Sequence, residues 1–301
     1  MKVGVNVAVN SETGDIGAFA KKAEDLGFQS LWMAEHPIIP VHTTSKYGGT
    51  PDGSIPDSMS DMADPFIGLA IASATTSKIM LGTSICLIPE HNPLVQAKQI
   101  AALDFHSGGR FIFGIGTGWL REETEIMGGD FDHRWTQARE AVEAMKELWT
   151  KEDPSYQGKY HSFSGMKFTP KPVQKPHIPI IIGGTSKAAI RRAARSGAAW
   201  HPTALSPEVL AQGMEYLKEQ AVTAGRDPSE VEVSVSAAIG STHNHNRYSL
   251  GEDPEEVLER AQKYQEMGVG RLVVSPNTRD QSQLRPIMEM IAEVVIPAVQ
   301  S

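Results

Sequence analysis

Leu26-Gly27-Phe28-Gln29-Ser30-Leu31-Trp32-Met33-Ala34-Glu35-His36-Pro37 is the stretch whose reading decides the fold. Gly27 stops a helix, and Ser30 to Met33 has the character of a short strand buried on both faces. The strand ends in two adjacent ionisable residues, Glu35 and His36, before Pro37 breaks it. A carboxylate and an imidazole at the carboxyl end of a buried parallel strand stand where α/β folds keep their chemistry. The other reading is a surface glutamate beside a satisfied histidine at a strand exit.

Outward from this stretch, strands and helices alternate. Val3 to Val9 is a β-branched first strand, and Asp15 caps a helix through Leu26 with apolar residues at the helical period. A Pro-, Gly- and Ser-rich loop runs from Pro37 to Ala63, long enough to be a lid or binding segment. Asp64-Pro65 opens a helix to about Thr75. Ile79 to Cys86 is strand three, and a helix follows from about Leu94 to His106. Arg110 to Gly116 is strand four, and Trp135 to Trp149 a helix. A hairpin lies within Ser155 to Phe168. Strand five is Ile180 to Ile182, followed by a helix from Ser186 to Ser196. Strand six is Ala198 to His201, strand seven Val231 to Ile239 and strand eight Leu272 to Ser275, with capped or amphipathic helices between and after. Eight such units imply an α/β (β/α)8 TIM barrel, in one domain over residues 1–301, with insertions after strands two, four and seven. A doubly wound open sheet is the rival, and the first βα turn lacks its G-x-G-x-x-G.

Composition narrows the function. Of 301 residues, 40% are hydrophobic and 21% charged, enough for a filled core. A net charge of −8 disfavours nucleic acid or an anionic membrane as partner. One cysteine, Cys86, precludes an internal disulfide and suits a reducing cytoplasm. Met1-Lys2 runs straight into the first strand with no signal-peptide pattern, and no apolar run approaches the roughly 20 residues of a membrane span. A cytoplasmic homodimer acting on a small molecule is the expectation.

Several strand ends carry residues that a barrel would gather on one face. Strand three holds the polar Thr83-Ser84 next to Ile85, beside Gly82, either as a ligand contact or as a plain bulge. Strand four ends in Gly114-Ile115-Gly116-Thr117-Gly118-Trp119, where Gly116 and Gly118 let a backbone approach a flat ligand and Trp119 can wall it. Tight strand–helix packing is the alternative. Strand five ends in Gly183-Gly184-Thr185-Ser186 directly before a helix, which is an anion site or an ordinary N-cap. His243 and His245 lack a third ligand at a recognised spacing, so no metal is expected. Lys187, Arg191 and Arg195 share one solvated helix face, and Cys86 reads as packing.

The stretches GFQSLWMAEHPIIP (27–40), IMLGTSICLIPEHNPLVQAKQIAALDFHSGGRFIFGIGTGW (79–119), KPVQKPHIPIIIGGTSKAAIRRAARSGAAWHP (171–202) and GVGRLVV (268–274) together resemble the bacterial luciferase-like oxidoreductases. The GIGTGW and GGTS forms resemble the branch that uses the deazaflavin coenzyme F420, and the flavin mononucleotide (FMN) monooxygenases are the alternative. The resemblance implies a (β/α)8 barrel that binds the deazaflavin at its carboxyl face and moves a hydride to or from its ring. It implies that His36 is the active-site histidine and Glu35 the acidic residue before it. It makes Ser84-Ile85 a non-prolyl cis peptide supporting the ring, and Gly183, Gly184, Thr185 and Ser186 the turn that holds the cofactor phosphate. Sugar-phosphate dehydrogenases of this branch carry a catalytic glutamate where this chain has Trp119, which argues against that substrate. A non-catalytic flavin-binding barrel is a third possibility, opposed by the titratable Glu35-His36 pair.

Overall fold

The computed structural model describes residues 1–10, 13–240, 247–278 and 280–300; the His243 and His245 loop lies outside them. Eight parallel strands form a closed barrel: β1 (Lys2–Val7), β2 (Ser30–Met33), β3 (Met80–Thr83), β4 (Phe111–Gly116), β5 (Ile180–Gly183), β6 (Ala199–His201), β7 (Glu232–Ile239) and β8 (Arg271–Pro276). β1 pairs with β2 from Gly4↔Ser30 to Val7↔Met33, and with β8 from Lys2↔Arg271 to Val5↔Val274. The circle closes between β3 and β4 at Leu81↔Phe111 and Gly82↔Ile112. All four residues of β2 are buried, as a strand covered on both faces requires.

The expected continuous third strand from Ile79 to Cys86 is in fact interrupted. β3 stops at Thr83, the Ser84–Ile85 peptide is cis, and Cys86–Leu87 resumes pairing with β4 at Cys86↔Ile115 and Leu87↔Gly116. Gly82 has a packing role: a Cβ there would lie 2.4 Å from the Trp32 indole, which fills the barrel interior with Ile112, Ile181, Ala199 and Val273. Trp32 donates from Nε1 to Ser30 Oγ at 2.8 Å, so its one polar atom is satisfied inside the barrel.

The outer helices are α1 (Ile16–Asp25), α2 (Pro65–Thr75), α3 (Pro93–Ser107), α4 (Arg134–Thr150), α5 (Lys187–Ser196), α6 (Pro207–Thr223), α7 (Pro254–Glu266) and α8 (Gln281–Met290). Asp15, Asp64, Asn92, Ser186, Ser206 and Asp253 accept first-turn amides as N-caps, which explains why these starts are readable in the sequence. The C-terminal helix is less regular than its amphipathic pattern suggests, passing through a π turn at Ile291–Val295. A six-residue helix, Arg121–Ile126, follows β4 and has no side-chain cap, so the sequence gives no start signal for it. The hairpin pairs Tyr156–Gln157 with Ser162–Phe163. Among the described residues no helix is long and apolar enough to cross a membrane.

Candidate active site

The carboxyl ends of the strands open into one cavity of about 1000 Å³. Glu35, His36, Ser84, Ile85, Gly116, Gly118, Trp119, Gly183, Gly184, Thr185 and Ser186 all line it, so residues from the ends of four different strands meet in one place. The segment 37–63 folds over it through Tyr47, Met59 and Met62.

His36 Nδ1 lies 2.8 Å from Glu123 Oε2, on the short helix after β4. Glu123 is fully buried. A carboxylate at one ring nitrogen fixes the imidazole's orientation and leaves Nε2 for other partners. Trp119 meets the His36 ring edge-on at 5.9 Å and packs against Tyr47 at 5.3 Å. Glu123 is absent from the sequence-based candidates. Its only signal is a pair of acids, Glu122-Glu123, just after the strand-four glycines, and acids in a helix's first turn are ordinary dipole partners.

Glu35 follows a different path from its neighbour. Its Oε2 accepts the Leu87 amide at 2.6 Å, and its Oε1 lies 2.8 Å from His91 Nε2. Burial works to raise the Glu35 carboxyl, and the bond and charge of His91 with the Leu87 amide outweigh it, so the net shift is downward. His91 is held upward: burial opposes its charge, and the Glu35 carboxylate more than compensates. Glu35 thereby anchors the strand that resumes after the cis peptide. Glu35, Cys86 and His91 lie close enough to hold a metal ion. Yet their atoms already serve one another and the Leu87 amide, and Cys86 Sγ accepts from Gln96 Nε2 at 3.0 Å. Burial, then the charge of Glu35, pushes the Cys86 thiol well up, so it is inert packing.

Beneath the cis peptide, Ser84 Oγ lies 2.9 Å from His201 Nε2, at the end of β6. His201 Nδ1 faces the Ser234 carbonyl at 2.8 Å. A carbonyl can only accept, so Nδ1 carries the proton, Nε2 accepts, and the Ser84 hydroxyl donates. Burial, opposed by the Ser234 carbonyl and helped by Arg271, pushes His201 down to about 4, so the ring is neutral. It stacks on Trp32 at 5.4 Å and 17°.

The Ile85 side chain fills the space between β4 and β5. A Cβ on Gly116 would lie 1.9 Å from Ile85 Cδ1, and one on Gly183 would lie 3.0 Å from it. Gly184, at φ +112°, is in a conformation that side-chain-bearing residues rarely adopt. Trp200 Nε1 donates to its carbonyl at 2.8 Å, and Ser186 Oγ accepts the Ala189 amide at 3.2 Å. The ten-residue α5 therefore starts at the cavity wall with first-turn amides that intrahelical bonding leaves over. Arg134 also lines the cavity, and its buried Nε has no partner among the described residues.

Such a site, built from loops at the strand ends of a parallel barrel with a His–carboxylate pair beside a helix start, has the layout of a barrel enzyme's active site. The luciferase-like monooxygenase family matches residues 2–285, and the chain belongs to that family, whose members are oxidoreductases. An uncharacterised protein of Mycobacterium tuberculosis (strain ATCC 25618 / H37Rv) is 39% identical over 213 residues, 70% of this chain and 74% of that protein. The F420-dependent glucose-6-phosphate dehydrogenase of Kineococcus radiotolerans is 30% identical over 251 residues, 82% of this chain and 67% of that one. Among solved structures, the FMN-bound oxygenating component of 3,6-diketocamphane monooxygenase from Pseudomonas putida superimposes with a TM-score of 0.78 at 17% identity, covering 99% of this chain and 98% of that one. The family's deazaflavin and flavin users thus share this barrel.

Proposed function

We propose that the protein is an F420-dependent oxidoreductase that transfers a hydride between the deazaflavin and a small organic substrate. The observation that carries this is the His36–Glu123 pair opening onto the same cavity as the turn from Gly183 to Ser186. The residues fit the cofactor: the orphaned Arg134 Nε and the start of α5 suit a phosphate, and the wall from Ser84 to Ile85, backed by Gly116 and Gly183, suits a flat ring. When bound, the deazaflavin supplies the hydride chemistry.

The chain's own residues supply position and a proton site. His36 Nε2 takes or gives the substrate proton that accompanies hydride transfer, while Glu123 holds Nδ1. Glu35 acts through the bulge, as the bonds to Leu87 and His91 indicate, and is a positioning residue. Trp119, Met59 and Met62 give the substrate end an apolar wall. The F420 assignment leans on the GIGTGW and GGTS forms and on the Kineococcus relative. Glucose 6-phosphate is not the substrate we assign, because the chain has Trp119 where that branch has its acid. A reducing cytoplasm suits the buried Cys86, and a homodimer suits the apolar outer face of α2.

Titrating the protein with F420 and with FMN tests the cofactor. Micromolar binding of F420 is expected, and binding of FMN with none of F420 would move the reading to a flavin monooxygenase. His36→Ala separates enzyme from carrier: cofactor affinity should stay and turnover drop about 10²-fold or more. A protein with no turnover to lose against aldehydes, enones and alcohols is a carrier.

A further inference from the structure

Behind His36 the fold buries a second carboxylate that the chemistry above leaves unused. Glu90 sits in the single turn Ile88–Glu90 after the bulge and is 3% exposed. Its Oε1 accepts the Thr124 hydroxyl at 3.0 Å, and its Oε2 is buried without a partner among the described residues. The residue before Thr124 is Glu123, whose Oε2 serves His36 and whose Oε1 is also buried without a partner. Among the described residues, the charged groups acting on Glu90 are Glu123 on the short helix and Glu35 at the exit of β2, with the Cys86 thiol beside them. None is a cation. A buried carboxylate oxygen that faces like charge and lacks a donor, as Glu90 Oε2 does, is relieved by a proton of its own, because a carboxylic acid brings its own O–H. Burial, and then the charge of Glu123, pushes the Glu90 carboxyl up to about 8.

We propose that Glu90 is a positioning residue that keeps a proton behind the His36–Glu123 pair, so that one negative charge rather than two backs the imidazole. Its consequence for turnover rests on the hydride-transfer reading; the stored proton itself does not. In a reaction where the bound deazaflavin would take the substrate's C–H hydride, the O–H proton would pass to His36 Nε2, Glu123 would support the imidazolium and Glu90 would keep its proton throughout. Once Glu90 ionises, a second negative charge holds that proton on His36 and slows its return.

The test follows the His36 ring signals by NMR in the cofactor-free protein, identified by their loss in His36→Ala. The wild-type ring signals should show a step near pH 8, and Glu90→Gln should lose it. A wild type without that step, or a step that survives Glu90→Gln, overturns the proposal. Should Glu90→Gln fail to fold, the side-chain carboxyl carbons of labelled glutamate decide in the wild type alone. One of them titrating near pH 8 supports the stored proton, and all titrating in the ordinary acid range removes it. With F420 loaded, the pH profile of turnover should carry the same step and Glu90→Gln should erase it. Absence of any F420 turnover would sink the cofactor reading while leaving the NMR result standing.

Discussion

Replacing Glu35 with alanine strands both the Leu87 amide and the His91 imidazole in a buried site. The expected cost is about 2–5 kcal/mol, read as a lower urea midpoint. The sign with pH follows from the two shifts. Glu35 is held below its ordinary 4.5, so its contribution is present above that value and lost as pH falls through the lowered one. His91 is held above its ordinary 6.5, so its contribution is present below that value and lost as pH rises through the raised one. The gap between wild type and Glu35→Ala should therefore be widest between pH 4.5 and 6.5 and narrow on both sides. Glu90 works the other way from Glu35. Its carboxyl rises from 4.5 to about 8, so its contribution is lost as pH climbs across that interval, an effect on the order of a few kcal/mol at most. Glu90→Gln should gain on the wild type over the same range in pH-resolved denaturation, and a wild type that loses nothing there contradicts the assignment. In the sequence Glu35 and His36 read as one unit. Only their opposite directions from the strand end, set by where Leu87 and Glu123 fall, divide them into a scaffold residue and a proton site.

The loop 37–63 is tied down by one side chain of the short helix. Glu122 Oε1 accepts the Thr44 amide at 2.6 Å, the Thr44 hydroxyl at 2.9 Å and the Ser45 amide at 3.2 Å. Those donors, the Thr44 amide first, hold its carboxyl down to about 2. Glu122→Ala should release the loop and speed tryptic cleavage after Lys46 several-fold; cleavage at the wild-type rate would mean the loop is held by other contacts. Gly116→Ala tests the seat of Ile85: a Cβ at 1.9 Å must displace that side chain, and cofactor affinity should fall with the fold retained. The Pro37–Ala63 loop and the start of α2 were legible because proline, glycine and caps write local instructions. The helix Arg121–Ile126 was not: at six residues, entered from an uncapped Leu120, it is stabilised by where Glu122 and Glu123 bond across the fold. The break in β3 falls inside a stretch, Ile79 to Cys86, that reads as one strand by periodicity, with the polar Thr83-Ser84 beside Gly82 marking a bulge. That the bulge carries a cis bond came from the resemblance.

Barrel closure was legible from the alternation of buried strands and capped helices, whereas the partner of each side chain across the cavity depends on register that spacing does not encode. His201 is the example: it stood at the end of a predicted strand, yet its tie to Ser84 exists only once β6 and the bulge share a wall. On the outside, α2 turns Ile67, Ala70, Ile71 and Ala74 to solvent, with Ile67 66% and Ile71 43% exposed. The double change Ile67→Glu with Ile71→Glu should convert a dimer into a monomer in light scattering, while a wild type that is already monomeric would dismiss that interface. The positions of the indoles have an optical consequence. Trp32, Trp149 and Trp200 are sealed in the interior, whereas Trp119 and Trp135 stand in the cavity wall. A conjugated ring entering that cavity should quench the emission of those two indoles and spare the others, and Trp119→Phe should remove a large part of the quenching. The fold thus carries its own fluorescent gauge of occupancy, readable before any substrate is known.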